Sequence, residues 1–403
     1  MEPVFRKVKY RLYPSRAQEA RLLEQLEAHR KLYNAALEQR IDAWRRCGKR
    51  VTYPEQAREL TELRADSETF RRINAQSAQV TLARLELAFK AFFRRHKKGE
   101  TPGFPRFKSR SRFPGWGYKT HGCGFRLISR PDRRHGKLRL SGIGNIAVRG
   151  RGRNPGEVRT CEICRKGNKW YATFSVSCAP ERRSGALAIG LDWGVATLAA
   201  IAYEDGGFEN IENPRFLRTG RTALETLHQE LSRKERGSKN RVRAQLRFSE
   251  ACRKIANRRH DFLHQLTARI VTETRLIASE ELNVRAMTAS AKGTVDRPGR
   301  RVAQKAGLNR EILSAAPGLL IGMLRYKAAE AGVKYVDVPT KKVKPTQRCC
   351  ACWATAKKAL SERQQYCSCG SSLSRDENSA RVNLAWALLQ RPGTDRVPHA
   401  YSV

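Results

Sequence analysis

LAIGLDWGVATLAAIA, residues 187–202, is an apolar run broken by one carboxylate, Asp192, with Gly190 and Gly194 on either side of it. Short and continuously apolar, it reads as two buried strands, 187–193 and 197–203, joined by a tight turn. Strand alternation puts Ala186, Ala188, Gly190 and Asp192 on one side. An ionised carboxylate there is costly unless cations or hydrogen-bond donors meet it. Asp192 therefore either stabilises a turn or holds a metal, and two later acidic sites bear on the choice.

The first is Glu280 in RLIASEEL. Leu276, Ala278, Glu280 and Leu282 share one face of a strand expected over 275–279, while Glu281 points the other way, so only Glu280 joins the apolar set. The second is Asp376 in SRDENSARVNLA. Ser374 and Glu377 have the spacing of a capping box, which puts Asp376 in the first turn of a helix expected from Arg375 to about Gln390. Each acid alone is more often structural than catalytic. Together, three inward carboxylates can hold two Mg²⁺ or Mn²⁺ ions roughly 3.5–4 Å apart for phosphodiester hydrolysis, and hard oxygen donors suit those ions better than zinc. The strands alternate with a basic helical stretch 221–258, a helix from Phe262 to Thr274, a helix 311–331 and a strand 333–338, an α/β pattern that begins after Ser184 and Gly185.

RCCACWATAKKALSERQQYCSCG, residues 348–370, interrupts that pattern. Cys349-x-x-Cys352 and Cys367-x-Cys369 are two close pairs, the arrangement of a tetrahedral Cys₄ zinc ribbon with no open coordination position. Cys350 is an alternative to Cys349 as a ligand, and a set of free thiols is the alternative to zinc.

Ahead of Ser184 the pattern differs. VFRKVKYRLY (4–13) alternates apolar and basic residues as a strand with one wet face. Ser15 and Gln18 make a capping box for the first helix of a bundle over 16–98, with a loop expected at 47–56. In KKGETPGFPRFKSRSRFPGWGY (97–118) aromatic and basic residues interleave: Phe104, Phe107, Phe113 and Trp116 could stack on bases while Arg106, Lys108, Arg110 and Arg112 take phosphates. The alternative is an ordered linker whose aromatics dock on the bundle. Short strands with Gly-rich turns fill 120–180 and, with 4–13, could close a small barrel into which the bundle is inserted. Cys161 and Cys164 have CxxC spacing but no second pair nearby, and read as strand residues.

The chain has 80 Lys and Arg against 38 Asp and Glu, a net charge of +42 that repels itself unless a polyanion neutralises it. The cations are spread along the sequence, which points to a long contact with nucleic-acid phosphates; the bland alternatives are a solvated basic face or a ribosome-associated protein. Candidate contacts are Lys9, Arg11, Arg94, Arg95, Phe104, Arg106, Phe107, Lys108, Arg110, Lys341 and Lys342, with further cations at Arg149, Arg151 and Arg153. No apolar run reaches the ~20 residues of a membrane span and the N-terminus lacks an apolar signal core. A cytoplasmic, nucleoid-associated protein with reduced cysteines is expected.

KYRLYPSRAQEARLL, AFKAFFRRHKKGETPGFPRFKSR, IGLDWGVATLAAIA, SEELNVRAM, KAGLNREIL, the paired cysteines and RDENSARVNLA, in this order, resemble TnpB. TnpB is the RNA-guided nuclease of IS200/IS605-type insertion sequences, similar to compact type V CRISPR effectors, and the resemblance spans about residues 6–390. It implies an α+β multidomain protein: a WED β-barrel (1–15 and 119–184) with an inserted helical REC lobe and linker (16–118), then an RNase H-like RuvC nuclease (185–345 and 371–392) with a zinc-ribbon target-nucleic-acid-binding insert (346–370), and a tail, 393–403. It places Asp192, Glu280 and Asp376 at the three acidic RuvC positions and Arg363 near the scissile phosphate. It implies Mg²⁺ or Mn²⁺, structural zinc and a guide RNA from the element's right end. The implied partner is double-stranded DNA with an adjacent motif, read by pairing and cut on both strands by a monomeric protein. Ser374 stands where many relatives carry an additional Asp, the second cysteine pair is CxC, and Trp353 follows the second cysteine where a Gly is common. The alternatives are a nuclease-inactive RNA-guided repressor, a compact CRISPR-associated effector, or a DDE transposase, which fits the acid order but not the helical insert.

Overall fold

The computed structural model describes residues 3–128, 134–150, 156–179, 182–294, 296–359 and 362–389. Arg151, Arg153 and the expected polar tail lie outside the described residues. The chain divides into two compact units, Met1–Ala179 and Pro180–Val403.

The first unit runs β1 (Val4–Tyr13), α1 (Arg16–Cys47), α2 (Tyr53–Asp66), α3 (Glu68–Arg71), α4 (Ala75–Lys97), β2 (Gly115–Tyr118), β3 (Phe125–Leu127), β4 (His135–Leu140), β5 (Gly144–Gly150), β6 (Glu157–Lys166) and β7 (Lys169–Cys178). Among the described residues its strands form one seven-stranded antiparallel sheet in the order β2-β6-β7-β1-β5-β4-β3. The first strand is therefore central, and the helices are an insertion between it and β2. Val8, Tyr10 and Leu12 enter the core while Lys7 and Lys9 stay exposed, the alternation read from the sequence. α1 starts at its capping box: Ser15 Oγ accepts from the Gln18 N–H (3.3 Å) and Gln18 Oε1 from the Ser15 N–H (3.0 Å). The expected loop at 47–56 is shorter, because the Thr52 N–H donates to Glu55 Oε2 (2.6 Å) and starts α2 one residue before Pro54, where a missing N–H costs nothing.

The interleaved segment is corrected in part. Phe113 and Trp116 are buried, 6% and 0% exposed, Phe113 against Tyr33 and Trp116 within β2, its indole N–H donating to Tyr118 Oη at 3.0 Å. Neither is available to a base; burying such a side chain stabilises by about 1.5–3 kcal/mol. Phe104 and Phe107 remain 47% and 53% exposed. Cys161 and Cys164 are strand residues of β6, paired in register with Phe174 and Tyr171.

Behind Trp116, the fully buried His29 stacks on the indole at 5.4 Å and bonds Thr81 Oγ1 (2.8 Å) and Ser77 Oγ (3.2 Å). Burial, then the charge of Arg84, lowers its pKa from 6.5 to about 3. A histidine held neutral in the fold but free to protonate when unfolded favours unfolding as pH drops below 6.5, an effect that stops growing only near the folded value. Going from pH 7 to 5 is expected to cost about 2 kcal/mol through this group. Urea denaturation of the full chain at both pH values checks it: His29→Gln should flatten the acid dependence, and an unchanged slope would contradict the assignment.

The second unit runs β8 (Leu187–Trp193), β9 (Thr197–Tyr203), β10 (Phe208–Glu212), α5 (Phe216–Thr219), α6 (Arg221–Ser232), α7 (Lys239–Glu273), β11 (Thr274–Glu280), α8 (Val284–Met287), α9 (Val302–Ala315), α10 (Pro317–Ala331), β12 (Lys334–Val338), α11 (Thr340–Val343), β13 (Gln364–Tyr366), β14 (Ser372–Ser374) and α12 (Arg375–Leu389). Its main sheet has the order β10-β9-β8-β11-β12; β8, β9 and β10 are antiparallel, whereas β11 and β12 run parallel to β8. Ile189, Leu191 and Ile277 face α7 and α10 on one side. Ala188, Leu276 and Ala278 face Val382, Ala385 and Trp386 of α12 on the other.

Candidate active site

β11 lies parallel to β8 with Ala278 beside Gly190 and Ser279 beside Leu191. One step further, Glu280 and Asp192 stand at the carboxyl ends of these two neighbouring strands, on the face covered by α12. Asp192 is 9% exposed and Glu280 half-buried, while Glu281 is exposed, which is the register expected from alternation. α12 begins at the same end: Ser374 Oγ accepts from the Glu377 N–H at 3.2 Å, and Glu377 spends its carboxylate on Arg381. Asp376 thereby falls in the first helical turn.

Electrostatics tie the three acids together. Burial first, then the charges of Glu280 and Asp376, push the Asp192 pKa well above the ordinary carboxylate range. Burial raises Glu280 to about 7, and its Oε1 is buried with no hydrogen-bond partner. Like-charged, desolvated carboxylates with an orphaned oxygen are what a divalent cation would satisfy, so these side chains fit Mg²⁺ or Mn²⁺. Their grouping is looser than that of the cysteines: among the described residues, only Cys349, Cys352, Cys367 and Cys369 bring three or more ligand atoms within 4.8 Å of one another.

In that quartet Cys349 and Cys369 sulfurs are 3.8 Å apart and those of Cys352 and Cys367 3.5 Å, close to the about 3.8 Å that ~2.3 Å Zn–S bonds give at tetrahedral angles. The Cys369 N–H is the main influence lowering the Cys367 thiol to about 6, while Cys352 beside it is raised to about 12, so without a metal one thiolate is favoured at the expense of its neighbour. Cys350 stays outside; burial raises its thiol to about 11, and its backbone N–H serves Asn378. The donor set fits zinc, with Cys349 as the ligand of the first pair. Trp353 adopts a left-handed φ of +61°, the conformation that makes glycine common after the second cysteine. Its ring is buried.

A groove of about 1190 Å³ opens just past β8, lined by Val195, by Arg215, Arg218, Arg310 and Arg363, and by the carboxylates Glu225 and Glu311 among others. Arg363 was singled out in the sequence; the other arginines were not, because nothing in a scattered set of cations marks which ones fold around one groove. The remaining candidate contacts are mixed. Arg94, Arg95, Arg106, Lys341 and Lys342 are exposed, Lys342 over the Trp386 ring at 5.5 Å. Lys9 lies over Tyr171 (4.4 Å) and Arg11 over Tyr13 (4.7 Å). Arg110 pairs with Glu27 at 3.3 Å, and Lys108 is fixed by backbone bonds to Asn34 and Arg30. Phe104 packs edge-on against Phe89 and Phe92.

Three family models match the chain: "Probable transposase" (OrfB of IS605) over residues 171–291, "Helix-turn-helix domain" over 1–49, and "Cas12f1-like, TNB domain" over 318–383. The second span is here a strand and one long helix, β1 and α1. A protein of Escherichia coli K12 named "Putative RNA-guided DNA endonuclease InsQ" is 32% identical over 385 residues, 94% of this chain and 91% of that one. A "Putative RNA-guided DNA endonuclease" of Streptomyces pristinaespiralis is 30% identical over 400 residues, 96% and 90% of the two chains. The solved structure of a Cas12f1–sgRNA–target DNA complex matches with a TM-score of 0.56 at 10% identity, covering 94% of this chain and 99% of that one, a likeness of fold.

Proposed function

Because the chain belongs to the TnpB family, we propose that it is an RNA-guided DNA endonuclease whose hydrolytic centre is Asp192, Glu280 and Asp376. The observation that carries the assignment is the meeting of three carboxylates from distant parts of the chain at one sheet end, where the fold gains nothing from their mutual repulsion. The sheet order, a three-stranded antiparallel meander followed by two parallel strands, supports an RNase H-like RuvC core. The sheet of the first unit then serves as the WED barrel and α1–α4 as the REC lobe.

Asp192, Glu280 and Asp376 would hold divalent ions, Mg²⁺ or Mn²⁺. Such ions supply charge neutralisation at the phosphodiester and acidify water. The chain's own residues do the rest. Strands β8 and β11 hold two carboxylates in fixed register, α12 excludes water from one side, and Arg215, Arg218, Arg310 and Arg363 line a groove suited to backbone phosphates. Arg363, at the start of the ribbon's second half and in the lining of that groove, would steady the reacting phosphate. The four cysteines would carry a structural zinc. A guide RNA from the transposon's right end would read the target by pairing and the protein a short adjacent motif, acting as a monomer in the prokaryotic cytoplasm. A repressor that only binds would have no use for the crowded acids.

The test is to sequence the RNA that co-purifies with the full chain and to offer the complex a plasmid carrying its complement. One RNA species from the element's end and double-strand cutting at the matched site are expected. Recovery of no specific RNA, or cutting indifferent to the match, would refute the proposal.

A further inference from the structure

We infer that Asn378 is a positioning residue that couples the cysteine cluster to the carboxylate centre, so that a metal held at either site strengthens retention of a metal at the other. The inference rests on the reading of Asp192, Glu280 and Asp376 as a cation site. Asn378 lies two positions after Asp376, in the beginning of α12, and is fully buried. Both ends of its amide are used by backbone flanking Cys349. Nδ2 donates to the Arg348 carbonyl (2.6 Å), with the Pro345 carbonyl at 3.5 Å, and Oδ1 accepts from the Cys350 N–H (2.9 Å). One side chain therefore bonds the backbone on both sides of Cys349, across about thirty residues of sequence, with a longer bond from Gln365 Nε2 to the same Arg348 carbonyl at 3.4 Å beside it.

Further contacts from both cysteine pairs make the connection stiff. The second cysteine pair leads through β14 directly into α12, and the Arg375 N–H donates to the Arg363 carbonyl at 2.8 Å while its guanidinium donates to the Ala359 carbonyl at 3.0 Å. On the first pair, Trp353 packs in one apolar cluster with Val382 and Trp386 of α12. Arg348 lies over its ring at 5.3 Å and donates to its carbonyl at 2.8 Å. Both halves of the ribbon thus bear on the helix that carries Asp376. Drawing four sulfurs onto one metal fixes the knuckles and, through Asn378 and β14, the azimuth of that helix start. A cation drawn to Asp376 holds the same turn from the other side. Coupling between two binding sites is reciprocal by thermodynamic necessity, and such couplings usually amount to about 5- to 150-fold.

The zinc affinity of the purified full chain, titrated to equilibrium against a zinc-selective chelator with and without saturating Mn²⁺, reads the coupling without any cleavage assay. Mn²⁺ binding is followed in parallel by electron paramagnetic resonance, with Asp192→Asn as background. In the native chain Mn²⁺ should raise the affinity for zinc by about fivefold or more. In Asn378→Ala, zinc content should stay full while the Mn²⁺ effect falls below about twofold. If that variant does not fold, the near-isosteric Asn378→Leu, which fills the same space and loses every one of these bonds, should show the same loss. Binding of Mn²⁺ that leaves the zinc affinity unchanged overturns the coupling alone. An effect of equal size in the Asn378 variants overturns the role of Asn378. Absence of Asp192-dependent Mn²⁺ binding overturns the carboxylate reading and the coupling with it.

Discussion

Asp192→Asn is expected to abolish target cleavage, by about 10³-fold or more, while RNA content and target binding stay as in the native chain. A loss of that size corresponds to about 4 kcal/mol of barrier, reasonable for one of three groups that share a metal site. The substitution keeps the shape of the side chain and removes the charge that the site needs. The same change is expected to stabilise the metal-free fold. The Asp192 pKa is raised on folding by burial, Glu280 and Asp376, so its charge works against the folded state wherever the unfolded chain would be ionised and the folded one resists it. At pH 8 the melting temperature of metal-free Asp192→Asn should therefore exceed that of the native chain. The advantage should shrink as the pH falls and the native carboxylates take up protons. Glu280, raised to about 7, adds a second signature: Mn²⁺ affinity should fall by at least about tenfold per pH unit below 7, because the ion must then displace a proton from it, and a further one where Asp192 is also protonated. Cleavage that survives Asp192→Asn, or a mutant less stable than the parent at pH 8, would mean that the carboxylates do not form one centre.

How far the sequence discloses this centre depends on the range of the contacts involved. Strands 187–193 and 197–203 are found where they were read, and so is the face they present, because alternation within one apolar run is a local signal. The choice of Glu280 over Glu281 follows from the same alternation. The helices over 221–273 differ from the sequence expectation for an equally local reason. A break was expected near residue 260, whereas α7 runs unbroken from Lys239 to Glu273 and the chain turns earlier, at Gly237 with φ +89°, followed by Ser238 capping Arg241. That Gly-Ser pair was a visible breaker signal masked by the basic run around it. The helix expected over 311–331 is divided because Pro317 excludes Ala316 from the helical region, and Ala316 turns to φ +57°. β10 has no readable signal because FENIE, an edge strand, carries little apolar pattern. Trp116 and Phe113 looked like stacking platforms, since composition cannot tell an aromatic that meets solvent from one that closes a core. The amide of Asn378 had no sequence signal at all, its partners being carbonyls and an N–H of a distant knuckle.

Gly190→Ala is expected to destabilise the second unit by about 2–3 kcal/mol, and Gly190→Val by more, with a parallel loss of cleavage. The residue has no unusual backbone conformation, so the requirement for glycine comes from what lies above it. A Cβ at Gly190 would stand 2.0 Å from the Ala380 carbonyl oxygen, 2.6 Å from the Leu384 nitrogen and 2.8 Å from Leu384 Cβ. These are atoms of α12 itself, which cannot swing aside as a side chain would. The helix must lift, and overpacking of this kind typically costs about 1–3 kcal/mol, occasionally more. Lifting α12 also strains the bond from Asn383 Nδ2 to the Leu191 carbonyl (3.1 Å) and carries Asp376 away from the strand that bears Asp192. Gly322→Ala makes the contrast, since no atom lies within 4 Å of its added Cβ. In α10 that change should be neutral or stabilise by up to about 1 kcal/mol through helix propensity. Thermal denaturation of the full chain, read beside cleavage of a matched target, separates the two. If Gly190→Ala melts with the native chain, α12 does not rest on β8 at this point, and the close approach that brings the third carboxylate to the other two is lost as an explanation of the site.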